Sequence, residues 1–173
     1  QQIVEVKDVG LNGVQHLLKA GVELGTINTV PMEALNASTI FDQIEAFTDK
    51  ISEVYQGVKM NVFMSRHWLK KYLQDKRVQG FYQKFSEKDI DSGIDFTPLS
   101  VIGLASMVGT DDIFCTPAQN FLHVAPATIT KNSFKFEEAK RAVAVMADWS
   151  EGLGFGINQA VWTNIQKAGS TSV

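Results

Sequence analysis

Hydrophobic positions change their spacing at Gly57. Before it they recur every three or four residues, and just after it every two. Ile40, Ile44, Phe47, Ile51 and Val54 step by four, three, four and three, which draws one apolar stripe along a helix. Asp42, Glu45, Asp49, Lys50 and Glu53 fall on the other faces. The spacing predicts an unbroken helix over 38–56, about 28 Å long at 1.5 Å per residue. Ser38 or Thr39 is its expected cap, Thr39 with Asp42 resembles a capping box, and Gly57 stands where a left-handed stop belongs. A shorter amphipathic helix is expected over 11–25, from Leu11, Val14, Leu17, Leu18 and Val22, with Gly25 as its stop. Residues 26–37, with Pro31 and Asn36, read as a loop.

Beyond Gly57, Val58, Met60, Val62 and Met64 alternate with Lys59, Asn61, Phe63 and Ser65, as in a strand. Ser65 then caps a second helix, about 66–76, with Trp68, Leu69, Tyr72 and Leu73 on one face. Residues 77–97 are polar with two glycines, Gly80 and Gly93, and read as either a long loop or an irregular hairpin, a length usually kept for function or contact. Strands are expected at 99–103, 111–116, 120–124, 127–136, 141–149 and 155–162. Helices followed by strands make the fold class α+β, a long helix packed on a mixed or antiparallel sheet. The chain divides into a helical part, 1–57, and a sheet-containing part, 58–173.

Composition narrows the function. The chain has 173 residues, enough for one domain that buries roughly 70% of its unfolded surface. Its net charge of −3 implies no strongly basic face, which argues against nucleic-acid binding as a primary role. A single cysteine excludes an intrachain disulfide framework and a multi-cysteine zinc site. No apolar run reaches the length of about 20 residues that spans a bilayer.

Candidate chemistry is sparse. Gly152-Leu-Gly-Phe-Gly156 lacks the spacing of a dinucleotide loop and reads as a turn or bulged strand. Asp89-Ile-Asp91-Ser-Gly93-Ile-Asp95 resembles half a calcium loop, but the glycine is fifth and the twelfth residue is Ser100, so a solvated acidic turn fits better. Cys115 and His123 are spaced like a nucleophile and base on neighbouring strands, which keeps a small cysteine hydrolase as an alternative. His16 and His67 have no metal-ligating partner at helical spacing. Lys70, Lys71, Lys76 and Arg77 beside Trp68 and Tyr72 read as a solvated cationic helix end. Trp149, Phe155 and Trp162 read as core or interface aromatics. No catalytic, cofactor-binding or metal-binding set emerges, and a non-enzymatic role is expected.

The order of segments resembles the capsid subunits of tailed phages of the Hong Kong ninety-seven type. Ile40–Tyr55 resembles the spine helix. Asn61-Val-Phe-Met-Ser-Arg-His-Trp68 resembles the strand-to-helix junction. Ser100-Val-Ile-Gly103, Met107-Val-Gly-Thr110 and Asp112-Ile-Phe-Cys-Thr116 resemble the axial-domain strands, and Val143 to Trp162 the closing strand pair. The resemblance covers about residues 36–165. It implies peripheral and axial subdomains, and a structural subunit that self-assembles into pentamers and hexamers of a virion shell around packaged DNA. Assembly would take place in the bacterial cytoplasm, without cofactor, small-molecule substrate or membrane. Encapsulin compartments are the related alternative. Segment 77–97 would point at the symmetry axis, with Lys84, Glu87, Lys88, Asp89 and Asp91 as inter-subunit residues. Only about 37 residues precede the spine helix, so the resemblance also implies a subunit trimmed of its N-terminal arm and extended loop. Lys131 and Asn132 match no crosslinking position.

Overall fold

The computed structural model describes residues 13–79, 92–94, 97–124, 135–139, 142–146 and 152–168. Helix α1 is Gly13–Leu24, strand β1 Asn28–Thr29, helix α2 Ile40–Asp49 and helix α3 Glu53–Gln56. Strand β2, Asn61–Ser65, runs directly into helix α4, Arg66–Val78. Then follow β3 (Ser100–Leu104), β4 (Phe114–Thr116), β5 (Phe121–Val124), β6 (Lys135–Ala139), β7 (Ala142–Met146), β8 (Gly152–Phe155) and β9 (Trp162–Thr163). Five strands form the main sheet in the order β1-β9-β4-β2-β3. It is mixed: β2 pairs in parallel with β3 and antiparallel with β4, while β1 pairs in parallel with β9. Two smaller antiparallel pairs, β5-β8 and β6-β7, complete the described strands. The α+β class is therefore observed.

Both faces of the main sheet are covered, and the alternation along β2 shows why. Met60, Val62 and Met64 point into one core, with Ile40, Ile44, Phe47 and Ile51 from the α2 region and Tyr72 from α4. Phe63 faces the other way, and its ring stacks on Phe114 with centroids 4.8 Å apart. That second core is built from Leu18 and Val22 of α1, with Ile27, Met107 and Val161. The period-two pattern after Gly57 is thus a strand packed on both faces, one fully buried and one half-buried. Residues of the helical part and of the sheet-containing part share these cores, and β1 contributes a strand to the sheet.

The spine helix differs from its expectation. It is broken, with α2 ending at Asp49 and α3 beginning at Glu53. Lys50 and Ile51 close tight turns onto Phe47 and Thr48 carbonyls at 3.2 and 3.1 Å, and Ser52 is extended at φ −54°, ψ 134°. The Thr48 hydroxyl also donates to the Glu45 carbonyl at 2.8 Å, a local bond that competes with helix propagation. Ile51 stays buried, whereas Val54 is 81% exposed. Four of the five stripe residues therefore mark the core and the fifth does not.

The expected caps change as well. Thr39 makes no side-chain cap bond. Instead Asp75 of α4 reaches across, and its Oδ2 accepts from Phe41 N at 3.0 Å. Gly57 is right-handed at φ −84°, while Gly25 takes the expected left-handed stop at φ 68°. Ser65 caps α4 as predicted, its Oγ accepting from Trp68 N at 3.3 Å. The helix runs on through Val78, so the expected loop begins later than residue 77. The expected strand over 155–162 is interrupted: β8 ends at Phe155 and a short 3-10 turn, Asn158–Ala160, precedes β9.

Candidate interaction surface

Helix α4 follows β2 without a connecting loop because Ser65 both ends the strand and caps the helix. Its inward face places Tyr72, Asp75 and Lys76 in the protein interior. A neighbouring outer stripe is Arg66, Lys70, Leu73 and Arg77, which lie within about 60° of one another on a helix of 3.6 residues per turn. This stripe borders a groove of about 520 Å³, completed by Leu69, Gln74 and Gly103 of β3. Leu69 and Leu73 are half-buried and form its apolar wall; Arg66, Lys70 and Arg77 are exposed along it. Among the described residues no acidic side chain lines the groove.

Gly103 lets the helix lie this close to the sheet. A Cβ at that position would stand 3.0 Å from a Leu69 methyl and 3.1 Å from the Arg66 Cα. β3 is also the last strand of the main sheet. Its first half is covered by residues 92–94: Val101 N donates to the Ser92 carbonyl and Ile94 N to the Leu99 carbonyl, both at 2.9 Å. The groove therefore sits beside the part of β3 that follows this pairing. A second hollow of about 530 Å³, between Gly25–Asn28 and Ile157–Gln159, has no charged side chain among the described residues that line it. A third of about 260 Å³ is lined, among the described residues, by one charge of each sign, Glu33 and Lys50.

The cationic cluster read from the sequence is regrouped. Lys76 is not solvated: it is fully buried and its Nζ donates to the Gly93 carbonyl at 2.6 Å. Arg66, Leu69, Leu73 and Gly103 were not singled out as surface partners of Lys70 and Arg77. The four-residue spacing from Arg66 to Lys70 and the seven from there to Arg77 are the signal that places all three on one stripe.

Cys115 and His123 are not brought to a common site. Cys115 is fully buried in β4, between Val62 and Trp162 on the neighbouring strands. His123 is exposed on β5, opposite Leu153 of β8. Burial pushes the Cys115 thiol from its ordinary 9.0 up to about 12, the reverse of what a nucleophile needs. His16 and His67 are exposed on α1 and α4. The glycine run forms β8 and the turn after it, where Gly156 N donates to the Asn120 carbonyl at 2.9 Å. Trp162 is buried edge-on against Tyr55 at 5.2 Å, and the half-buried Phe155 meets Phe121 edge-on at 6.0 Å. Burial raises the Asp112 carboxyl above its usual range, with Lys19 opposing and Asp111 reinforcing the shift.

Among the described residues no group of three or more His, Cys, Asp and Glu is placed to hold a metal ion. No described helix is long and apolar enough to cross a membrane. The residues expected between subunits, Lys84, Glu87, Lys88, Asp89 and Asp91, lie outside the described residues, as do Lys131, Asn132 and Trp149. The calcium-like turn is described only at 92–94. No family model matches the chain, and no curated protein is similar to it at a significant level.

Proposed function

We propose that the chain is a structural subunit of an icosahedral phage shell, acting by association rather than by chemistry. The observation that carries this reading is the junction of β2 and α4. The strand passes straight into a Ser-capped helix, and β3 and β4 flank that strand in the main sheet. This is the segment order on which the resemblance to Hong Kong ninety-seven-type capsid subunits rests. The cation-lined groove, on the outer side of the same helix, adds a surface suited to a partner. Copies of the chain are the partner, in pentamers and hexamers around packaged DNA, and the virion is the location. Closed rings need two different surfaces on each subunit, so contact patches of unlike character are expected.

The experiment is negative-stain electron microscopy with light scattering on the purified chain, across protein and salt concentration. Rings or curved sheets of uniform subunit spacing support the reading. A chain that remains monomeric at its highest soluble concentration refutes it.

A further inference from the structure

We infer that the groove of α4 receives the exposed face of α2 from a second copy of the chain, in an antiparallel, charge-matched contact. The inference rests on the shell reading and names the surfaces that would build it. The groove supplies cations at both ends of an apolar wall: Lys70 and Arg77 stand seven residues apart on one stripe, with Leu73 between them. Seven residues are two helical turns, about 10 Å.

The exposed face of α2 has the complementary pattern. Asp42 and Asp49 are exposed and also stand seven residues apart, with the small side chain of Ala46, exposed as well, between them. Laid antiparallel, Asp42 meets Arg77, Ala46 meets Leu73 and Asp49 meets Lys70. The alanine permits the close approach that a leucine wall requires, and the matched spacing lets both ion pairs form at once. Asp42 already accepts from Gln79 Nε2 at 3.4 Å in its own chain, an exposed contact that does not occupy the carboxylate.

An acidic helix suits this groove better than a nucleic-acid backbone. Phosphates would satisfy the cations, but leave the leucines facing a charged strand. Because groove and acidic face are different surfaces, the contact is heterologous and propagates from copy to copy, as a tiled shell requires.

The test is a charge swap in the full chain, read by sedimentation velocity and light scattering, with thermal melts to verify folding. Lys70→Glu with Arg77→Glu, and separately Asp42→Lys with Asp49→Lys, should each weaken self-association roughly tenfold or more. The chain carrying all four changes should regain association to within about threefold of the parent. The milder pair Lys70→Gln with Arg77→Gln, which introduces no new charge, should weaken it by a smaller factor and flatten its salt dependence. The inference fails if both reversals leave assembly unchanged, in which case the shell reading stands on other contacts. It fails if the combined chain does not recover. It fails if the groove reversal abolishes binding of a fluorescent DNA oligonucleotide while the α2 reversal leaves self-association intact, which would make the groove a polyanion site. A parent chain that never associates removes the inference and the shell reading together.

Discussion

Asp75 and Lys76 are adjacent charged residues, and both are buried. Burying a charge is costly unless it is hydrogen-bonded, and each of these bonds main chain far away in sequence. Asp75 satisfies Phe41 N in the first turn of α2, where the helix dipole also favours an anion. Lys76 holds the Gly93 carbonyl and lies 6.0 Å from the centre of the Tyr72 ring. Together they fasten α2 on one side of α4 and residues 92–94 on the other. Asp75→Ala is expected to cost about 2 kcal/mol in a denaturant titration, since it leaves a buried N–H without its acceptor. Asp75→Asn, which keeps a carbonyl oxygen, should cost less. Cys115 carries a pH prediction. The unfolded chain loses the thiol proton near 9.0, while the folded chain keeps it until about 12. The unfolded state thus binds fewer protons in that window, so stability should fall as pH rises through it. Cys115→Ala should remove that part of the slope, seen by comparing the melts of the two chains between pH 8 and 11. An alkylating probe should label Cys115 in the native chain far more slowly than in denaturant.

Elements show where local pattern governs and where contacts from elsewhere override it. Ile51→Ala is expected to cost about 2–4 kcal/mol, because Ile51 remains in the core past the end of α2. Val54→Asp should change stability by less than about 0.5 kcal/mol, because Val54 lies on the surface after the break. An unbroken helix would make both substitutions costly, so the pair measured by chemical denaturation tests the break directly. Phe47→Ala, at the centre of the stripe, should cost about 3–5 kcal/mol. The stripe from Ile40 to Ile51 was legible in the sequence because burial repeats with the helical period. The break was not, because it depends on Thr48 turning its hydroxyl to the Glu45 carbonyl and on an extended Ser52. The Ser65 cap was legible because it acts within three residues. The Asp75 cap was not, because its partner is 34 residues away. The interior position of Lys76 stayed hidden for the same reason: its acceptor, Gly93, is supplied by a distant segment. Of the groove, Lys70 and Arg77 were visible as charges. The closeness of β3, which depends on Gly103 against Arg66 and Leu69, emerges only when the sheet assembles.

At the scale of the whole molecule, the proposed assembly invokes two stretches, and their effects can be separated. α4 ends at Val78, just past Arg77 of the groove, and the chain rejoins the main sheet at Ser92–Ile94, beside β3. Lys84, Glu87 and Lys88 of segment 80–91 fall in the sequence between these two described points. If that segment meets its counterparts at a symmetry axis, reversing its charges should disturb the axial contact and leave the fold untouched. Lys84→Glu, Glu87→Lys and Lys88→Glu combined are expected to reduce ring formation in electron micrographs, with a melting temperature matching the parent. Normal assembly of this triple variant would remove the segment from the axis. The comparison with the groove variant is the stronger measurement. Contacts at an axis and contacts between neighbouring helices are distinct interfaces, so their losses in association free energy should add when the two sets of changes are combined. Strong non-additivity would mean that the segment and the groove touch the same partner surface. The shell contact would then be one continuous patch along α4 and β3 instead of two.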